Sequence, residues 1–235
     1  LLSIVGALVV VAAGVVGGLL YLRMTGSSER NLREANAFFE AGDFEKAYSF
    51  YGRVVYKQPG NMEALGKLIL CYEKLQPDTP ETANELYLSF LQAMKQAARY
   101  APVEDREQRQ SDLLEEYYRA AVLTNQDVFW RLLRETADEY ISRAEDPTSS
   151  VVARSHFYRG LSDLRMNDEN LTRDIDGMGN IRFPGEDDLE RFVELEPESD
   201  LGWAKLAFGR MAVARRLGLE SRFAQEERNL QVARE

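Results

Sequence analysis

The chain has 235 residues, 45% hydrophobic and 29% charged, with a net charge of −10. That composition excludes disordered and collagen-like chains and suits one large or two small globular domains. One cysteine and one histidine exclude an intrachain disulfide and leave little room for metal sites or the commonest catalytic base. No basic cluster stands out, so nucleic acid is not an expected partner. The chain opens at Leu1 rather than Met and keeps a helical pattern to Glu235, so the expectation is a piece of a longer protein.

Residues 1–22, LLSIVGALVVVAAGVVGGLLYL, carry no charge. A helix of that length spans roughly 33 Å, enough for the ~30 Å hydrocarbon core of a bilayer. Its valines and glycines make a poor helix in water, whereas in lipid a single segment satisfies its own backbone as a helix. The apolar run also exceeds the core of a signal peptide. The expectation is one transmembrane helix over 1–23, with Tyr21 and Arg23 at the interface and membrane lipid as a partner through residues 1–22. Gly14 and Gly18 form a small-xxx-small pair, which predicts helix–helix pairing within the membrane. The acidic body that follows favours a single-pass protein whose bulk lies on the non-cytoplasmic side, periplasmic in a bacterium. Residues 24–30 read as a linker in which Ser27 or Ser28 caps the next helix.

From Asn31 the pattern is helical hairpins. Ala35 and Phe38 precede the turn Gly42-Asp43-Phe44, and Ala47 and Tyr51 follow it, before a stop at Pro59-Gly60-Asn61. Small residues beside large ones let two helices cross closely. A second hairpin starts at Met62 with Leu65, Leu68, Ile69 and Tyr72, and Cys71 reads as a small buried side chain. Thr79 with Pro80 opens its return helix, which runs to about Tyr100. Residues 103–112 read as a loop or the start of the next helix. A third hairpin spans 111–123 and 126–143, joined at Thr124-Asn125. The fourth begins at Ser149 or Ser150, places Gly160 at a close-packing position, and holds an insertion near 167–184 before a return helix over 186–196. A fifth unit follows, with Trp203, Leu206 and Ala207 in its first helix, a turn at Gly218 and a partner helix over 220–235.

The positions of Ala35, Phe38, Ala47, Tyr51 and Pro59 around Gly42-Asp43-Phe44 resemble the tetratricopeptide repeat (TPR), a helical hairpin of about 34 residues. Trp203, Leu206 and Ala207 give a second such match, while Asn31 and Glu34 depart from the family's Trp and Leu. The fold class implied is all-α: the transmembrane helix, then an α-solenoid of about five TPR-like hairpins over 31–235. The resemblance implies that the first helix of each repeat lines a concave groove for a protein partner. Carried over, the groove residues are Leu32, Asn36 and Phe39; Glu63, Leu70 and Lys74; Phe157, Leu161 and Leu164; and Ala204, Phe208 and Met211. The family's grip on chaperone C-terminal carboxylates is disfavoured, because Leu32 and Lys67 replace its Lys and one of its Asn residues.

Other motifs carry less. Asp174-Ile175-Asp176-Gly177-Met178-Gly179-Asn180 faintly resembles a calcium loop, but Met178 takes a ligand place and Gly185 stands where a bidentate Glu is needed. It reads as a polar surface loop. Asn170-Leu171-Thr172 has glycosylation spacing, and His156 has no second ligand near it in sequence. No phosphate loop or nucleophile motif appears, so neither a cofactor nor an enzyme is expected. The predicted function is a membrane-anchored scaffold or adaptor that binds a protein partner near the membrane surface. The alternative is a permanently integrated subunit of a large membrane protein complex.

Overall fold

The computed structural model describes residues 27–167, 174–175 and 181–232, with side chains in the last helix described as far as Gly218. Among these residues the chain forms nine helices and one short strand pair. The helices are α1 (Ser28–Glu40), α2 (Phe44–Lys57), α3 (Met62–Lys74), α4 (Pro80–Tyr100), α5 (Val103–Thr124), α6 (Asp127–Arg143), α7 (Ser150–Met166), α8 (Glu186–Leu195) and α9 (Asp200–Val232). Strands β1 (Asp174–Ile175) and β2 (Ile181–Arg182) pair antiparallel between α7 and α8. The chain divides into two compact units, one ending at Arg109 and one beginning at Gln110, so the boundary falls within α5.

In the first unit, local chemistry fixes each helix end. Gly42 takes a left-handed φ of 77° just past α1. Its N–H donates to Phe39 O (3.1 Å) and the Asp43 N–H to Phe38 O (2.9 Å), which satisfies carbonyls that the helix end leaves open. Asp43 then caps α2, accepting from the Lys46 N–H at 3.2 Å. Asn61 caps α3 and Thr79 caps α4, with Pro80 in the first turn. Ser27, of the two candidate serines, caps α1.

The apolar faces so oriented form one core. Ala35, Ala47, Tyr51, Val54, Ala64, Leu65 and Cys71 are fully buried, with Ala93 and Ala97 of α4 in the same cluster. Each buried Leu-sized side chain contributes roughly 1.5–3 kcal/mol. The alanines let the helices of each pair approach, and Tyr72 stacks on Phe90 with ring centroids 4.2 Å apart.

In the second unit, α6 packs on α7, α7 on α8, and α9 on α8, α7 and β2. Gly160 of α7 touches the Gly185 turn, Phe192 lies over Phe157, and Phe183 fills the space against Gly209. The observed fold is therefore all-helical with hairpin-on-hairpin packing inside each unit, apart from the two-residue strand pair.

Several expectations are corrected. No helix among the described residues is long and apolar enough to cross a membrane. Helices such as α1 and α2 are two-faced, with charged residues such as Arg33 and Arg53 exposed on the side away from the core. The transmembrane helix is thus no part of the observed fold, and the single-pass membrane location that depended on it is withdrawn. The stretch that suggested it, residues 1–22 with Gly14 and Gly18, lies outside the described residues, as do Asn170-Leu171-Thr172 and residues 176–180 of the calcium-like loop. Residues 28–30, read as the end of a linker, already belong to α1.

Residues 103–112 are helical: Glu104 and Asp105 in the first turn of α5 complement the helix dipole. The fifth hairpin does not form. Helix α9 runs unbroken for 33 residues through Gly218. Of its expected packing positions Leu206 is buried, in a row with Gly202, Gly209 and Val213, whereas Trp203 is 49% exposed and Ala207 is exposed.

Candidate functional site

The expected groove positions divide by unit. In the first unit, Tyr51 is fully buried and its hydroxyl donates to Asn36 Oδ1 at 2.5 Å. Asn36 Nδ2 donates in turn to Glu63 Oε1 at 3.0 Å. Asn36 therefore ties α1 to α2 and α3, and its amide is committed to the fold. Burial pushes the Tyr51 phenol up to about 12. Leu32 and Phe39 are half-buried against the core, and Lys67 Nζ sits 4.2 Å from the Phe39 ring centroid. Glu63, Leu70 and Lys74 remain exposed.

In the second unit, Phe157 and Leu161 are buried and Leu164 is half-buried. Phe157 and Leu161 are thus part of the core: Phe157 packs on Phe192, its ring centroid 4.8 Å away. Ala204, Phe208 and Met211 are exposed, the last two by 59% and 63%.

The sequence reading missed a polar cluster at the start of α8. Gly185, with a φ of 86°, turns the chain into Glu186-Asp187-Asp188, three carboxylates where the helix dipole favours negative charge. Cations from separate elements converge on them. Arg159 of α7 donates from Nε to Asp188 Oδ2 (2.8 Å), from Nη2 to Asp188 Oδ1 (2.7 Å), and from Nη1 to Asp138 of α6 (2.5 Å). His156 Nδ1 lies 2.7 Å from Asp188 Oδ1, which requires the Nδ1–H tautomer. Arg210 of α9 reaches Glu186 (2.7 Å) and Glu190 (2.6 Å). Arg182 of β2 pairs with Glu190 and Asp187.

Burial alone would raise the Asp188 carboxyl, but hydrogen bonds from His156 and Arg159 outweigh it and hold the group below the ordinary carboxylate range. The hydrogen bond to Asp188 pushes the Arg159 guanidinium further up.

Beside this cluster is a cleft of about 300 Å³, lined by Arg134, Arg159, Arg182, Asp163, Asp187 and Asp188 among others. Arg134 Nε donates to Asp163 Oδ1 at 2.5 Å. Each lining arginine is thus matched by a carboxylate. The charges lock α6, α7, β2, α8 and α9 together and leave no uncompensated arginine among the described residues that line the cleft. Gly185-Glu186-Asp187-Asp188 was legible as a helix start, but apart from the nearby Arg182 its partners His156, Arg159 and Arg210 lie 24 to 32 residues away and share no motif with it.

The other feature is on α9. Leu201, Ala204, Phe208 and Met211 recur at spacings of three and four on its exposed side. At 3.6 residues per turn this row stands roughly 150° from the buried Gly202, Leu206, Gly209 and Val213. The helix is apolar on both sides, and one side has no cover among the described residues. Trp203 stands between the rows and its indole N–H donates to Pro197 O at 2.9 Å, which fixes the start of the helix.

No protein-family model matches the chain, and no curated protein matches it.

Proposed function

We propose that the chain is a non-catalytic, TPR-like scaffold that binds a protein partner through the uncovered face of α9. The observation that carries this reading is the row of large apolar side chains facing solvent, with Leu201 56%, Phe208 59% and Met211 63% exposed. Exposed apolar residues scattered singly are ordinary, but a contiguous row along a helix marks an interaction surface. Helical stacks bind by offering such a face to a partner segment. The ion-paired cleft at α8 supports a structural rather than catalytic role for the polar residues.

Capture of a partner by the tagged chain tests the reading. Phe208→Glu with Met211→Glu is expected to abolish capture at unchanged helicity, because neither side chain supports the core. Leu161 is unsuitable for this test, since a carboxylate there would be buried. Capture that survives the double substitution would overturn the reading. Reversible exchange of the partner in a dilution series fits a scaffold, and a fixed assembly that never releases it fits a permanent subunit.

A further inference from the structure

The uncovered face of α9 has a definite chemistry, and it narrows what can lie on it. Within the second unit, α7 is packed between α6 and α8, and α8 between α7 and α9. Helix α9 meets its neighbours α8, α7 and β2 through its inner row, where Gly202 touches Phe192 and Gly209 touches Phe183. It is the last helix of that stack among the described residues, and its outer row has the spacing that the facing row of another helix fits. A helix saturates its own backbone and offers no strand edge, so an extended segment would gain no main-chain hydrogen bonds here.

The charge around the row is opposite to that of the chain. Residues 200–216 hold Lys205, Arg210, Arg215 and Arg216 against the single carboxylate of Asp200, in a chain of net charge −10. Arg210 is engaged with Glu186 and Glu190. Lys205 and Arg215 pair with no carboxylate among the described side chains. Lys205 lies beside the apolar row, and Arg215 continues it after Met211. A second copy of this chain would set the same cationic row against itself across a two-fold axis, which like charges oppose. An anionic bilayer would meet the repulsion of the acidic remainder of the chain.

We propose that the outer row of α9, Leu201, Ala204, Phe208 and Met211 with Lys205 and Arg215, docks an amphipathic α-helix with acidic flanks from a partner protein. The docked helix adds one more layer to the stack. Its apolar residues at i, i+3/i+4 and i+7 pack on Phe208 and Met211, and its carboxylates meet Lys205 and Arg215. This inference rests on the protein-binding reading of the same face and adds the class of partner.

The test uses the whole chain and two labelled helical peptides of about 18 residues with the same leucine stripe, one flanked by Glu and one by Lys. Fluorescence anisotropy at low salt is expected to show the Glu peptide binding about tenfold more tightly than the Lys peptide, a preference that salt weakens. Lys205→Glu with Arg215→Glu is expected to reverse that preference, and Phe208→Glu with Met211→Glu to abolish binding of both, each at unchanged circular dichroism. Equal affinity for the two peptides, or no reversal, would overturn the acidic-helix assignment even if partner capture still depends on Phe208 and Met211. Two further outcomes would also overturn it. One is a concentration-dependent dimer in analytical ultracentrifugation that Phe208→Glu dissolves, which places a second copy on the face. The other is binding to phosphatidylserine-containing vesicles that the same substitution removes.

Discussion

Gly160 of α7 and Gly185 before α8 lie backbone against backbone. A Cβ on Gly160 would stand 2.9 Å from the Gly185 carbonyl oxygen and 2.9 Å from Leu189 Cγ, and a Cβ on Gly185 would stand 2.8 Å from Gly160 Cα. Glycine is required on both sides because the obstacle is main chain, which cannot rotate away. Gly160→Ala is therefore expected to destabilise the chain by about 1–3 kcal/mol through overpacking, although alanine is otherwise worth about 1 kcal/mol in a helix. Gly185→Ala should cost more, since its φ of 86° adds backbone strain. A methyl group on Gly66, inside α3, would meet nothing within 4 Å, so Gly66→Ala should instead stabilise by roughly 0.5–1 kcal/mol. Urea unfolding of the three variants reads the contrast, and a neutral Gly160→Ala would contradict the close approach.

The Tyr51–Asn36–Glu63 chain makes a second prediction. Asn36→Ala leaves the buried Tyr51 hydroxyl without its acceptor and is expected to cost about 1–3 kcal/mol. Tyr51→Phe removes the need for that acceptor, so the double variant should cost less than the sum of the single ones in a thermal or urea double-mutant cycle. The Tyr51 phenol is raised from 10.0 to about 12 in the folded chain, so its contribution is intact below about pH 10 and is lost as pH rises through about 12. Additive costs would mean that the two side chains act independently.

Acid should weaken the second unit through Asp188. Its carboxyl is held below the ordinary value of 3.8 in the folded chain. A depressed folded value gives stability that is present above about pH 4 and lost as pH falls through the lower folded value. Asp188→Asn should therefore be less stable at neutral pH, because Arg159 loses a charged acceptor, and its unfolding free energy should fall less steeply with acid. Parallel pH profiles for the parent and the variant, from urea titrations at several pH values, would contradict the ion-pair geometry.

Gly218 distinguishes one long helix from a hairpin. A turn there would call on glycine's left-handed conformation, and alanine would be strained. In the continuous α9, Gly218→Ala relieves the cost of a mid-helix glycine and should stabilise by about 0.5–1 kcal/mol. A loss of stability in thermal melts would restore the turn.

What the sequence made legible was local. The Gly42 turn, the Thr79 cap and the Ala35, Ala47 and Tyr51 packing positions act within a few residues of themselves, and each takes the expected place, while Asp43 of the turn and Asn61 of the stop also cap the helices that follow them. Gly218 failed as a turn because neighbours such as Arg215, Arg216, Leu217 and Leu219 are good helix formers and no proline stops them. The insertion hid its most consequential residue: Phe183 is 1% exposed, buried against a glycine, and no periodicity announces it. Trp203, Leu206 and Ala207 resembled family packing positions, yet only Leu206 faces the core, in a row with Gly202, Gly209 and Val213, mostly small residues that hydrophobicity alone undervalues. The Asp188 cluster was invisible because its partners meet only in three dimensions.

The protein-binding account stands on the outer row of α9 being open in the isolated chain. Single cysteines at Phe208, Met211, Leu206 and Val213, each in a Cys71→Ser background, allow maleimide labelling rates to be compared under native conditions. Fast labelling at positions 208 and 211 with strong protection at 206 and 213 is the expected result. Protection at 208 and 211 equal to that at 206 and 213 would show the face already covered and would contradict the proposed docking surface.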